Sequence, residues 1–356
     1  MKFIHIADLH FDSPFTILSN NGRFGIERRI EQRQAFKEVI EHIKENNIKY
    51  LFIAGDLYEN EYVRKTTIDN LNELFSQISD TKIFISSGNH DPYIKDSYYN
   101  NYGWSKNVKI FKGIECIETE DANIYGYGFE DFYCTNSNIG KIELLNNGKP
   151  NILVIHGNLD GAKTEEKAYN VLNSKELQKF DYVALGHIHK TNYKESEKII
   201  YPGSLISLGF DEKGHHGMIE GEINEGKLEV SFLIVDKREF IVNEIDCTQL
   251  NTIDELIECI NNVKTEDDNF YEVEIIGRRN FEINIYELKR MITNERILKI
   301  KNSTKINYNL EEISNEATLK GLFAKEMLER LELAKTIEER EIIEKGIEIG
   351  LEVLEK

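Results

Sequence analysis

The sequence has few cysteines, no long apolar run and fewer basic than acidic residues. Its four cysteines, Cys116, Cys134, Cys247 and Cys259, are widely spaced and lie outside every polar motif, which argues against a zinc cluster or a disulfide framework. No apolar stretch approaches the ~20 residues that a membrane-spanning helix needs. The apolar start at residues 3–6 runs directly into a polar motif rather than a cleavage site. We therefore expect an unprocessed, cytoplasmic protein with no membrane partner.

The charge balance is strongly acidic, with 63 acidic against 44 basic residues and a formal net charge of -19. This balance disfavours a protein that holds nucleic acid through its overall charge, because phosphate binding needs local positive charge. Residues 278–310 are an exception, since they contain eight basic and three acidic residues. Such a run is either a solvated charged surface or a binding patch.

A chain of 356 residues is too long for one ordinary core and predicts about two domains with an appendage. Residues 1–236 alternate short apolar runs with two helical patterns, at 29–46 and 66–78, which is typical of parallel α/β units. The runs predicted to be buried strands are residues 3–6, 50–54, 82–86, 151–155 and 182–185. Later runs, expected to form a second sheet packed on the first, are residues 123–129, 198–202, 217–223 and 228–235.

Two further regions follow the first 236 residues. Residues 237–312 are predicted to form a small α+β domain, and residues 313–356 two helices. The apolar stripes of these helices consist of Leu319, Phe323, Met327 and Leu331, then of Ile343, Ile347, Leu351 and Leu354. The hairpin is too short to bury both stripes by itself, so we expect it to dock on its own protein or on a partner.

Five short polar motifs follow predicted strands. They are Asp8-Leu9-His10, Gly55-Asp56, Gly88-Asn89-His90-Asp91, His156-Gly157-Asn158 and Gly186-His187-Ile188-His189. Side chains two residues apart in an extended chain point to the same side. Asp8 can therefore share a site with His10, and His187 can share one with His189.

The residue types in these motifs are those that hold a pair of divalent ions. Such a pair needs a bridging carboxylate and further oxygen or nitrogen donors. Asp56 has the chemistry of the bridge, Asn89 offers an amide oxygen and His156 an imidazole. The other four histidines, His5, His42, His215 and His216, are not assigned to the site because they lie in a strand, on a helix and in a turn.

The ordered set of motifs resembles the calcineurin-like metallophosphoesterase superfamily, and the resemblance covers residues 1–236. It implies an α/β fold, a four-layer α/β/β/α sandwich with a two-metal phosphoesterase centre at its sheet edge. The ligands it implies are Asp8, His10, Asp56 and His189 for one ion, and Asp56, Asn89, His156 and His187 for the other. It also implies that His90 contacts the scissile phosphate and protonates or stabilises the leaving oxygen, with Asp91 orienting its ring.

The chemistry implied is hydrolysis by a water that the two ions activate. A donor set of imidazole, carboxylate and amide groups without thiolate suits Mn²⁺, Fe²⁺ or Zn²⁺. Within this superfamily the chain resembles nucleases that use manganese, so Mn²⁺ is the expected ion.

A more specific resemblance is to the SbcD-type DNA-repair nucleases, in particular their YhaO-like branch. It rests on Asp12-Ser13-Pro14-Phe15 after the first motif, on Tyr201-Pro202-Gly203-Ser204 after the last, and on the order and size of the later regions. It implies a DNA exonuclease with a capping domain at residues 237–312. Residues 313–356 would then bind the coiled coil of an SbcC-like ABC-type ATPase. A homodimer is also implied, with residues 15–33 or the helix after them as candidate surfaces.

Within the capping domain, the resemblance makes Arg278, Arg279, Lys299 and Lys301 candidate contacts to DNA. Two alternatives remain open. One is a metallophosphatase or phosphodiesterase acting on a small molecule or a phosphoprotein, because the metal site is common to all these substrates. The other is a non-catalytic scaffold that recruits an ATPase, which the presence of His90 disfavours.

Overall fold

The computed structural model describes residues 1–15, 22–161, 169–266 and 268–354, apart from the side chain of Glu352. The chain divides into two compact units, Met1–Phe240 and Ile241–Lys356. Part of the segment considered for dimerisation, residues 16–21, lies outside the described residues. Among the described residues, none of the helices has both the length and the apolar character needed to span a bilayer.

The first unit contains two β-sheets. The strands of the six-stranded sheet, in chain order, are β1 (Lys2–Ile6), β2 (Tyr50–Ala54), β3 (Lys82–Ser86), β4 (Val108–Ile110), β10 (Gly217–Asn224) and β11 (Lys227–Ile234). Those of the five-stranded sheet are β5 (Gly113–Glu118), β6 (Asn123–Gly128), β7 (Asn151–His156), β8 (Tyr182–Gly186) and β9 (Ile199–Ile200). The helices are α1 (Gly22–Glu45), α2 (Lys65–Ser76), α3 (Tyr98–Asn101), α4 (Ser174–Leu177) and a 3-10 turn, Ile139–Lys141.

The order of strands corrects one expectation. The first sheet runs β11-β10-β1-β2-β3-β4 and the second β5-β6-β7-β8-β9. β10 and β11, expected in the second sheet, extend the first, because β10 pairs antiparallel with β1 from Lys2 opposite Glu222 to His5 opposite Ile219. The buried strands β7 and β8 lie in the second sheet, parallel to each other.

The sheets pack face to face with helices outside them. Between them lies an aromatic and aliphatic core in which the rings of Phe3 and Tyr182 are 4.6 Å apart. The other face of the first sheet packs on α1 and α2 through side chains such as Phe36 and Phe75. The outer face of the second sheet is covered by Leu177 of α4 and neighbouring residues. Because β1, β2 and β3 are buried on both faces, they read as continuous apolar runs. The predicted α/β sandwich is confirmed.

A buried ion pair joins α1 to the end of the first unit. The guanidinium of Arg28 is fully buried, donates to the carboxylate of Asp236 and lies 2.8 Å from Glu31. Its Nη2 also donates to the carbonyl of Ser207 at 2.9 Å. Burial alone would lower the pKa of Arg28, but the facing carboxylates of Asp236 and Glu31 raise it.

We expect Arg28→Met to lower the free energy of unfolding by about 3–5 kcal/mol, because it leaves the buried Asp236 carboxylate without its partner. Urea denaturation followed by circular dichroism measures this change. The matched control is Arg23→Met, since Arg23 lies on the same helix with its side chain 73% exposed and should change the free energy by less than about 0.5 kcal/mol. Equal effects of the two substitutions would contradict the prediction.

The second unit combines a small α+β region with three helices. Its strands are β12 (Phe240–Asp246), which begins at the last residue of the first unit, β13 (Phe270–Ile276), β14 (Arg278–Arg279), β15 (Ile297–Asn302) and β16 (Lys305–Ile306). Its helices are α5 (Ile253–Asn261), α6 (Ile285–Met291), α7 (Leu310–Ser314), α8 (Leu319–Leu333) and α9 (Ile337–Leu354). β12, β13 and β15 form one sheet, in that order, and β14 pairs with β16. Thr252 and Thr318 accept backbone N–H groups at the starts of α5 and α8, as N-cap residues do.

The apolar stripes of the last two helices are largely buried within the second unit. Met327 of α8 packs with Ile347 and Leu351 of α9 and with Ile313 of α7. The hairpin therefore docks on its own chain, one of the two expected outcomes, because α7 adds a third apolar side. One stripe residue, Leu319, is exposed together with six other apolar side chains of α8 and α9: Leu322, Leu333, Ile337, Ile342, Ile349 and Val353.

Candidate metal centre

The polar motifs meet where strands of both sheets end. Asp8 and His10 follow β1, Asp56 follows β2 and Asn89 follows β3; His156 ends β7, and His187 and His189 follow β8. β1, β2 and β3 are parallel, as are β7 and β8. The carboxyl ends of parallel strands lie at one edge of their sheet, which is where α/β proteins collect ligands. All seven predicted ligands are brought together at this edge.

The donor atoms form two groups that a third group joins. Those of Asp8, His10 and His189 lie within 4.8 Å of one another, as do those of Asp56, His156 and His187, and the joining group consists of His10, Asp56 and His90. Asp56 Oδ2 is 3.2 Å from His156 Nε2 in its own group and 3.7 Å from His10 Nε2 in the other. Asp56 therefore lies between the two groups, where the sequence predicts a bridging carboxylate.

Asn89 belongs to the second group. Its Oδ1 is 3.0 Å from His156 Nε2 and 3.2 Å from His187 Nδ1. These two ring nitrogens are 3.2 Å from each other. An amide oxygen and two imidazole nitrogens thus face the same small space.

This arrangement fits divalent cations. In the first group, Nε2 of His10 and Nε2 of His189 are only 3.1 Å apart, and two lone pairs at that distance repel unless a positive charge lies beside them. Asp8 and Asp56 are completely or almost completely buried, and a buried carboxylate needs a compensating charge. Burial raises the pKa of Asp8. Burial acts in the same direction on Asp56, but the His156 and His10 rings bring its pKa well below the usual value.

Three ligand rings are oriented by hydrogen bonds on their far side. Nδ1 of His10 lies 2.7 Å from Glu59 Oε1, Nδ1 of His156 lies 2.9 Å from the carbonyl of Ala54, and Nδ1 of His189 lies 2.5 Å from Glu212 Oε1. Because each acceptor takes the Nδ1 proton, Nε2 presents its lone pair to the centre, as is usual for metal-binding histidines.

The backbone of the motifs is strained. Asp8, His10, Asp56 and His187 have φ angles of 53°, 48°, 50° and 107°, which residues other than glycine rarely adopt. Such conformations cluster at functional sites because the surrounding structure must enforce them. Space is also limited: a Cβ on Gly88 would lie 2.2 Å from Asp56 Oδ1, which explains the glycine in that motif.

His90 lies at the mouth of the centre. Its side chain is 45% exposed, and its Nδ1 is 2.9 Å from Glu59 Oε2. Burial would lower the pKa of His90, but the hydrogen bond to Glu59 and the charge of Asp56 raise it to about 9. Burial would raise the pKa of Glu59, and the bonds from His10 and His90 lower it to about 2. One carboxylate thus connects a ligand ring with the His90 ring.

The expectation that Asp91 orients the His90 ring is wrong. The Asp91 carboxylate points inward and accepts the backbone N–H groups of Asp56, Leu57 and Gly88 and the hydroxyl of Tyr99, at 2.6 to 3.1 Å. Asp91 therefore holds together the two turns that carry Asp56 and Asn89. Sequence reasoning missed Glu59, although its place three residues after Asp56 was a usable signal, and it missed Glu212, which no motif marks.

We expect Glu59→Gln to lower turnover by about 10- to 100-fold, the usual effect of removing a group that orients a metal ligand. The amide has one acceptor oxygen, so it can hold the ring of His10 or of His90 but not both. Hydrolysis of bis(4-nitrophenyl) phosphate with Mn²⁺ measures the loss. Glu61→Gln is the control, because Glu61 is exposed and lines the same cleft. An unchanged rate for Glu59→Gln would contradict this role.

The four candidate DNA contacts are engaged within the second unit. Lys299 lies 2.8 Å from Glu272, Lys301 2.9 Å from Glu274 and Arg278 3.6 Å from Glu348. The Arg279 guanidinium donates to Thr304 Oγ1 and to the carbonyl of Phe281. Much of the positive charge of residues 278–310 is therefore offset by carboxylates on neighbouring elements.

The histidines that were not assigned to the site are absent from the ligand groups found among the described residues. His5 is buried in β1 beside the Tyr182 hydroxyl, and burial lowers its pKa to about 3. His42 pairs with Glu220, and His215 with Glu239.

An open cleft of about 1390 Å³ lies in front of the centre. His10, Asp56, Asn89, His90, His187 and His189 form its floor, and its other lining residues include Tyr62, Phe132, Tyr169 and Lys190. Tyr62 and Phe132 are 53% and 42% exposed. The centre is therefore accessible to a large substrate, with aromatic surface beside it.

Comparison with known proteins agrees with this geometry. Residues 1–191, more than half of the chain, match the model of the calcineurin-like phosphoesterase family. A relative described as the uncharacterized metallophosphoesterase YhaO, from Bacillus subtilis (strain 168), is 26% identical over 247 residues, which are 65% of this chain and 60% of that relative. The match thus spans less than two thirds of the relative's length. The chain belongs to the calcineurin-like phosphoesterases, a family of metal-dependent hydrolases.

Proposed function

We propose that this protein is a metal-dependent DNA nuclease of the SbcD type, which removes nucleotides as an exonuclease in DNA repair. The observation that carries the proposal is the cleft in front of the ligand groups. Its volume of about 1390 Å³ exceeds the ~300–1,000 Å³ of typical small-molecule sites. Exposed aromatic rings such as Tyr62 and Phe132 can stack on unpaired bases. Both features suit the end of a nucleic acid strand.

Residues of the cleft floor would perform the chemistry. Two divalent ions, most simply Mn²⁺ with Fe²⁺ or Zn²⁺ as alternatives, would be held by the two ligand groups, with Asp56 between them. When bound, they supply the positive charge that favours ionisation of a water and neutralises the phosphoryl oxygens.

His90 would deliver the proton to the leaving oxygen. The Glu59 carboxylate lies 2.9 Å from Nδ1 of His90, where it accepts the Nδ1 proton and favours the doubly protonated ring by its negative charge. Nε2 is then the donor that meets the leaving oxygen of the substrate. The turn held by Asp91 keeps Asn89 and His90 in place while this happens.

A second candidate function is hydrolysis of a small phosphoester or a phosphoprotein. The charges favour it: the cleft lining contains Glu61 and Asp211 beside Lys190, and Lys299 and Lys301 are paired with carboxylates. A long polyanion would meet little unpaired positive charge on these surfaces.

For the partners, we propose an SbcC-like coiled-coil ABC-type ATPase and a second copy of this chain. The support for the ATPase is the exposed apolar set on α8 and α9, in which Leu333 and Ile337 are 75% and 80% exposed. Apolar side chains of this kind on a helix pair suit the groove of a partner helix. A partner with a basic surface would also supply the positive charge that the acidic chain lacks.

The experiment that separates the two candidate functions is Mn²⁺-dependent digestion of end-labelled DNA beside hydrolysis of bis(4-nitrophenyl) phosphate. The nuclease proposal predicts release of labelled nucleotides, and it predicts that His90→Ala loses both activities together. Hydrolysis of the small ester without any digestion of DNA, with the ATPase present or absent, would contradict the nuclease proposal and favour the second candidate.

A further inference from the structure

The ring of His189 depends on a side chain that is itself held by others. His156 is oriented by a backbone carbonyl of β2, and its side chain is fully buried. The His189 side chain is 30% exposed and is oriented by the Glu212 carboxylate. Glu212 lies in a segment of turns between β9 and β10, so no regular element fixes its position. The orientation of the His189 ring therefore depends on the residues that hold the Glu212 carboxylate in place.

Two donors hold the second oxygen of Glu212. Oε2 accepts the backbone N–H of Leu208 at 2.8 Å and the hydroxyl of Ser204 at 3.0 Å. Ser204 is completely buried, and its own N–H donates to the carbonyl of His189 at 3.0 Å. One residue thus contacts both the ligand residue and the carboxylate that orients its ring.

Ser204 has a further neighbour, a buried imidazole ring. His216, 3% exposed, has Nδ1 2.9 Å from Ser204 Oγ and 3.1 Å from the carbonyl of Ser204. Its Nε2 is 2.9 Å from the carbonyl of Glu212. The His216 ring therefore packs against Ser204 and against the backbone of Glu212. Among the neighbours of the Ser204 hydroxyl, the Glu212 carboxylate is the charged acceptor, and hydrogen bonds to a charged acceptor are the stronger ones.

We propose that Ser204 and His216 are positioning residues of the metal centre. The order of contacts is His216 to Ser204, Ser204 to Glu212, and Glu212 to the ring of His189. This chain of hydrogen bonds orients the His189 ring, which belongs to the group of Asp8 and His10. It therefore acts on that group only. The inference rests on the proposed role of His189 as a metal ligand.

Replacement of Ser204 tests this inference in the full-length protein. Ser204→Ala removes the hydroxyl donor to Glu212 without adding volume. Ser207→Ala is the matched control, because Ser207 is 1% exposed in the same segment and its hydroxyl lies 3.1 Å from the backbone oxygens of Gly209 and Glu212. His216→Gln serves as a second variant that removes the imidazole ring beside Ser204.

Binding of Mn²⁺ alone is the readout, followed by calorimetric titration and by electron paramagnetic resonance. The unchanged protein should bind two ions whose spins couple. In Ser204→Ala and His216→Gln, affinity for one ion should fall by about 10- to 100-fold, and the coupled spectrum should give way to that of a single ion. Ser207→Ala should lower the melting temperature by as much as Ser204→Ala does, but it should still bind both ions.

The outcomes separate this inference from the proposed function. Two tightly bound ions in Ser204→Ala would overturn the positioning role and leave the centre intact. Equal loss of affinity in Ser204→Ala and Ser207→Ala would also overturn it, because the effect would follow packing of the segment rather than the Glu212 contact. Failure of the unchanged protein to bind a pair of ions would overturn the metal centre, and the inference with it.

Discussion

Asp56→Asn is expected to remove both metal ions and to lower turnover by on the order of 10³-fold, at least the loss caused by removing one transition-state donor. The Asp56 carboxylate lies near Nε2 atoms of both ligand groups, 3.2 Å from that of His156 and 3.7 Å from that of His10. An amide in its place has nearly the same shape but no charge. Neither group would then have the shared negative charge that two adjacent cations require.

Metal content after gel filtration and the rate of bis(4-nitrophenyl) phosphate hydrolysis measure this effect. Asp211→Asn is the control, since Asp211 is exposed on the wall of the same cleft, and it should retain two ions. Asp56→Asn with two ions and near-normal turnover would show that Asp56 does not bridge the groups.

His90→Ala is expected to keep both ions and to lose about 10²- to 10⁴-fold in turnover, the usual contribution of a positioned general acid. The ring is bonded to Glu59 and exposed at the mouth of the cleft. Its removal takes away a proton donor but leaves both ligand groups complete. The effect should appear in kcat rather than in the affinity for metal.

Turnover and metal content are measured in parallel for this variant as well. His215→Ala controls for loss of a histidine in general, because the side chain of His215 is 62% exposed and pairs with Glu239. Unchanged turnover in His90→Ala with full metal occupancy would exclude His90 as the acid. Loss of the ions would instead make His90 a ligand.

The convergence of the seven candidate ligands could be predicted from sequence because each lies at the end of a short buried strand or just after it. Such runs as residues 50–54 and 82–86 are mostly apolar, and the structure has strands with these bounds. Parallel strands bring their carboxyl ends to one edge, so motifs far apart in the chain converge without any knowledge of strand order. The two glutamates that orient the ligand rings carry no such signal, because a carboxylate in a loop is also common on any surface.

The features that sequence could not predict depend on non-local pairing and on side-chain direction. β10 pairs with β1, although more than 200 residues separate them in the chain. An alternating apolar pattern predicts a strand but does not indicate which sheet the strand belongs to. Asp91 follows His90 directly, yet its carboxylate turns to backbone N–H groups while the ring turns to Glu59. The stripes on α8 and α9 were correctly seen as apolar, but the contribution of α7 to their burial depends on how three helices pack.

Anomalous X-ray diffraction at the manganese absorption edge, on crystals grown with Mn²⁺, would show whether one cluster of seven side chains holds two divalent ions. We expect two peaks on either side of Asp56, one beside Asp8, His10 and His189 and the other beside Asn89, His156 and His187. A single peak, or none within reach of these side chains, would contradict this expectation.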